Sequence, residues 1–150
     1  MSAYVALAVL GLVIMGCLVS MMVVFMGGPQ GASDFRSLLS LQLTAIPLAL
    51  LAALTSIIVV GSKEGVRSGL KSLWRALPQW LVIAFVVLNS LFVFGEVSLI
   101  IVAQATDVTV PWFEHVPLIC MLACSIAFLV VYAHARLGQT REPALSGRWP

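Results

Sequence analysis

Charge is what this chain has least of. Its 150 residues include eight Lys and Arg and six Asp and Glu, or 9% of the total. A soluble domain carries about a quarter, so most of this surface is not built to face water. The few cations sit in short clusters between apolar runs, which excludes an extended nucleic-acid-binding face. Cysteine is scarce as well: Cys17, Cys120 and Cys124 all fall inside apolar runs. That placement excludes the loop-borne disulfide framework of a small secreted domain.

Catalytic signatures are missing too. There is no G-x-x-x-x-G-K-[ST] loop, no H-E-x-x-H, no nucleophile elbow and no dinucleotide fingerprint. With no polar stretch long enough to hold a soluble site, a non-enzymatic protein without a cofactor is expected. Cys120 and Cys124 lie four apart on one helix face, where thiols pack as small hydrophobes. His115 and His134 are 19 residues apart, about 28 Å along a helix, too far to share one haem. His115 with Glu114 and Asp107 reads as an ordinary acidic loop, not a metal site.

What the chain has in abundance is apolar sequence, 61% of residues. Four runs exceed the ~18 residues that mark a membrane span: about 4–26, 38–60, 81–103 and 116–135. The first is not preceded by Lys or Arg and is too long for a signal-peptide core, so it reads as an uncleaved span. Gly27-Gly28-Pro29 ends it, and Ser33-Asp34 can cap the next helix. In the second run Ser40, Thr44, Pro47, Leu51 and Thr55 share a helical stripe, expected to face other helices because lipid offers no hydrogen-bond partner. Pro47 frees the carbonyl of Leu43, so a kink is expected, with a nearby hydroxyl satisfying that oxygen.

Between the second and third runs, residues 63–77 are amphipathic. Val66, Leu70, Leu73, Trp74 and Leu77 line one face, and Lys63, Arg67, Lys71 and Arg75 recur every four residues beside it. This is the pattern of a helix in the membrane interface, its basic side chains reaching lipid head groups. Anionic lipid is the expected partner, at about 1 kcal/mol per cation near the surface. Pro111-Trp112-Phe113 is expected to be an aromatic anchor.

The expected architecture is an all-α membrane protein: an antiparallel four-helix transmembrane bundle over 1–135, an interfacial helix between helices 2 and 3, and a polar tail over 136–150. Four cations in the second loop and three in the tail, against none in the third loop, place both termini in the cytoplasm of a cell with a bacterial-type inner membrane.

Glu96 is the one formally charged residue in the interior of an apolar run. Asn89 and Gln104 lie within about an 80° arc of it on an ideal helix. Ser20 and Thr44 fall near the same depth, and Ser40 lies one turn before Thr44. These six form the expected intramembrane polar site. A charged carboxylate in lipid costs several kcal/mol, so Glu96 is expected to be neutral or partnered, hydrogen-bonded to a Ser, Thr or Gln. Function is expected to be that of an accessory or assembly subunit binding a membrane-protein partner or a second copy. The alternative is a small proton-coupled transporter or channel using Glu96.

Overall fold

The computed structural model describes residues 3–27, 32–107, 109 and 115–141, with side chains described for 3–22, 39–63, 65–107, 109 and 115–139. All its regular structure is helical: α1 (Ala3–Gly27), α2 (Ala32–Glu64), α3 (Val66–Ala76), α4 (Gln79–Ala105) and α5 (Val116–Arg141). Four of the five are long and apolar enough to cross a membrane, as expected of a multi-pass membrane protein. Their outward faces agree: Leu12 of α1 is 72% exposed and Phe94 of α4 is 73% exposed. So much uncovered hydrocarbon requires lipid or another apolar helix around it.

The helix bounds differ from the sequence reading at several ends: α2 begins at Ala32 rather than at 38, and the helix expected over 63–77 spans Val66–Ala76, which leaves Lys63 on α2. α2 continues through Ser62 and Lys63 to Glu64, and α5 continues past Ala135 to Arg141. Both extensions are polar, because a helix does not end where its sequence leaves hydrocarbon. Pro47 does not interrupt α2, and the nearby Thr44 hydroxyl donates to Leu41 O at 2.9 Å rather than to Leu43. Ser33, Asp34 and the Pro111-Trp112-Phe113 anchor lie outside the described side chains.

α5 is the centre of the packing. Cys120, Met121, Cys124 and Ala127 are fully buried, with Val116, Ser125 and Val131 nearly so. At 100° per residue these positions cover about half the helix circumference. Against that face pack Leu10, Ile14 and Cys17 of α1 and Ala49 and Ala53 of α2. Small side chains let the backbones approach closely, which is how helices associate without a hydrophobic force in lipid. α4 is peripheral by comparison, with only 6% of its apolar span buried against 56% of that of α5. Its buried residues, Leu81, Phe92 and Ala103, recur every eleventh position. That spacing advances only about 20° per step, so α4 is held along one narrow line.

α3 turns off the end of α2 at Gly65, whose φ of 82° and ψ of 147° suit only glycine. Gly65 N–H donates to Gly61 O, and Gly69 N–H donates to Gly65 O, both at 2.8 Å. Gly69 then faces Gly61 so closely that a Cβ would stand 3.2 Å from its backbone N and Cα. Leu73 completes this contact, packing with Val60 and Ala133.

Replacing Gly69 with Leu forces two backbones apart. Overpacking of this kind costs about 1–3 kcal/mol. We expect Gly69→Leu, and to a similar extent Gly65→Val, to lower the apparent Tm in detergent and expose the segment 65–76 to limited proteolysis. Unchanged protease resistance in both variants would show that α3 is not docked by this contact.

Candidate functional site

Each polar group in an apolar span needs a partner, and the helices supply most from within themselves. The hydroxyls of Ser20, Thr55, Ser56 and Ser98 donate to the carbonyl four residues earlier at 2.7–2.9 Å. This back-bonding satisfies a hydroxyl without any neighbouring helix. It explains a departure from expectation on α2, where Ser40, Thr44, Pro47, Leu51 and Thr55 are all exposed. The buried face of α2 instead carries Gln42, Ala49, Ala53, Ser56 and Val60. The hydroxyl stripe can face outward because its helix already satisfies it.

Polar contacts also cross between helices, among them one from Gln139 Nε2 of α5 to the Tyr4 hydroxyl of α1. Gln42 of α2, 2% exposed, donates from Nε2 to Ser20 Oγ of α1 at 3.0 Å. Asn89 of α4 donates from Nδ2 to Phe85 O at 2.7 Å, while Ser125 Oγ of α5 lies 3.5 Å from its Oδ1. Glu96 of α4 meets His115, the residue before α5, with Oε2 3.0 Å from Nδ1. The Glu96 side chain is 13% exposed and that of His115 is 36% exposed. The pair thus forms where the α4–α5 hairpin begins to open. Phe85 and Phe128, with ring centroids 5.3 Å apart, brace the same hairpin further along.

Of the expected site residues, Glu96, Asn89 and Ser20 make contacts between helices. Thr44, Ser40 and Gln104 are exposed and are not brought to Glu96. The expected hydroxyl or amide partner of Glu96 is replaced by a histidine. Phe85 meets Phe128, Asn89 meets Ser125 and Glu96 meets His115, so the contacts move towards the start of α5 as they advance along α4. Sequence reading missed His115 in this role, and it missed Ser125 and Gln42. Folding residues 89–125 about their central loop would have suggested the first two.

The basic row divides at Gly65, with Lys63 on α2 and Arg67, Lys71 and Arg75 on α3. Lys63, Arg67, Lys71 and Arg75 are exposed, and so are Val66, Leu70 and Trp74. Gly69 and Leu73 are the buried residues of α3, and Ala76 packs beside them. Arg75 and Ser72 also line a cleft of ≈ 450 Å³ with Arg136 of α5. The three thiols converge in the core, Cys120 and Cys124 with sulfurs 3.9 Å apart. Among the described residues no group of three His, Cys, Asp or Glu is placed to hold a metal ion; Glu114 lies outside them.

The Ser20–Gln42 contact predicts an asymmetry. Ser20→Ala leaves a buried amide nitrogen unpaired and should cost about 1–3 kcal/mol, whereas the double variant Ser20→Ala/Gln42→Met should recover most of that loss. Unfolding in mixed detergent micelles measures it, and a double variant no more stable than Ser20→Ala would contradict the pairing.

In comparisons with known proteins no family model, no curated sequence and no solved structure matches this chain, so the functional reading rests on its own residues.

Proposed function

We propose that this is a non-enzymatic, four-span accessory or assembly subunit of a larger membrane complex, with α4 as its docking helix. The observation that supports it is the one-sided attachment of α4. Leu81, Phe92 and Ala103 hold it to its own chain, while Val86, Leu91, Val93, Phe94 and Ile101 are exposed around it. A helix that its own fold secures so lightly gains most from a neighbouring transmembrane helix, and Phe94 is the aromatic anchor such a contact uses. The spans run up and down, with both termini and the basic α3 on the cytoplasmic side of an inner (plasma) membrane. There α3 lies in the interface, Val66, Leu70 and Trp74 in the acyl boundary, Lys63, Arg67, Lys71 and Arg75 on anionic head groups.

A second reading is favoured by Glu96 and His115. A carboxyl and an imidazole 3.0 Å apart, both partly exposed, are the minimum a proton-coupled transporter or channel needs. In that reading the protein acts as a homo-oligomer with copies meeting on α4.

Purification from native membranes in mild detergent separates the two. A subunit brings a stoichiometric partner, and Leu91→Ala/Phe94→Ala reduces its recovery at least ~10-fold, since a truncated aromatic anchor costs about 2 kcal/mol or more. The control Leu12→Ala, on the outer face of α1, leaves recovery unchanged. A partner retained equally by both variants refutes docking on α4. Should the protein purify alone, proton flux in vesicles that falls in Glu96→Gln establishes the transporter reading, and flux that is unaffected excludes it.

A further inference from the structure

The end of α3 and the polar extension of α5 enclose a cleft of ≈ 450 Å³, within the range of about 300–1,000 Å³ that small-molecule sites occupy. Arg75, Ala76 and Leu77 line it at the end of α3, and Arg136 and Leu137 line it on α5. Leu73 packs with Ala133 and Val60 to hold the two helices together, and Ala76, Leu77 and Leu137 pack on that cluster. The fold thus brings two arginines from distant parts of the chain to one space. Both are exposed, and among the described residues no Asp or Glu lines the cleft.

Two cations facing one space repel, and an anion between them relieves the repulsion. A guanidinium presents paired N–H donors that match two oxygens of a phosphate. Arg136 already has an interaction partner, but a guanidinium carries five N–H donors, so one engagement leaves others. The carbonyl end of α3 opposes an anion with about half a unit charge, less than two full cations supply.

We infer that this cleft binds one phosphate group, held between Arg75 and Arg136, and that an anionic phospholipid presents it. The level fits. Arg136 is the first charged residue after the apolar run 116–135, and Arg75 is the last before α4 begins at Gln79. Both therefore stand where a span leaves hydrocarbon, the depth of a lipid phosphate. Ala76, Leu77 and Leu137 then suit the glycerol and the first methylenes. The lipid as source rests on α3 lying in the interface, as proposed above; the phosphate site itself does not. Lys63, Arg67 and Lys71 are not among the lining residues and attract lipid only as diffuse charge.

The full chain, purified in mild detergent, would be titrated with short-chain phosphatidylglycerol, with phosphatidylcholine of the same chain length and with inorganic phosphate. Native mass spectrometry and thermal shift read the binding. One saturable phosphatidylglycerol per chain is expected, bound more tightly than phosphatidylcholine, whose own cation meets the arginines. Arg75→Gln and Arg136→Gln each weaken it about tenfold, the size of one charge-assisted hydrogen bond. Arg136→Lys, which keeps the charge but loses the fork, falls between. Arg67→Gln and Lys71→Gln change it less than about twofold at 0.15 M salt, where charges outside the cleft are screened. Circular dichroism and gel filtration establish that each variant has folded. Inorganic phosphate bound as tightly as the lipid, with the same dependence on both arginines, would uphold the phosphate site and overturn the lipid as its source. Equal losses in all four glutamine variants would overturn the site and leave the interfacial row of α3 standing. No saturable binding of any of the three probes would overturn the inference outright.

Discussion

The close approach of α1 and α2 to α5 is the contact on which the rest depends. In hydrocarbon no water is released when apolar helices meet, so association rests on close packing and hydrogen bonds. α5 offers Cys120, Cys124 and Ala127, all fully buried and all small, with Met121 filling the space between them. Sulfur suits this role, since thiols and thioethers are soft and polarisable and leave no strong donor unsatisfied. The three cysteines are therefore accounted for by packing. α1 and α2 are drawn in by the same face, and alanines narrow α2 for this contact.

Polar atoms then sort by what each helix can supply. Hydroxyls bond backward to their own carbonyls and are tolerated on any face. Amides and carboxylates reach further and have more atoms to satisfy, and Gln42, Asn89 and Glu96, unlike the exposed Gln104, settle where two helical segments meet. Gln42 joins α2 to α1, Asn89 and Glu96 join α4 to the middle and the start of the α5 segment, and Gln139 joins α5 to α1. The junction of α4 with α5 relies on two such contacts and a slender apolar line. The junctions of α1 and α2 with α5 rely chiefly on packing.

These differences determine what could be read from the sequence. Span number was legible because four apolar runs of more than ~18 residues have few other solutions. Of the basic row, Arg67, Lys71 and Arg75 share α3, whose four-residue period keeps them on one side, whereas Lys63 lies on α2 before the turn at Gly65, a break that the spacing alone did not reveal. Facing direction was not legible either. Ser40, Thr44 and Thr55 look like an inward stripe until back-bonding is considered, and Ala49 and Ala53, which do face inward, carry no signal in a chain this rich in alanine. Nor was the partner of Glu96 evident, because depth along one helix says nothing about register with the next. His115 drew attention only as a possible haem or metal ligand.

α5 is the hidden helix and α4 the uncovered one, and that contrast can be measured without any substitution. The purified protein in lipid nanodiscs would be footprinted with a lipid-soluble carbene reagent and the modified residues mapped by mass spectrometry. Heavy modification at Val86, Leu91 and Phe94 with little or none across Cys120 to Ala127 is the expected result. Equal modification of the two stretches would contradict the packing, and with it the assignment of α4 as the helix that meets a partner.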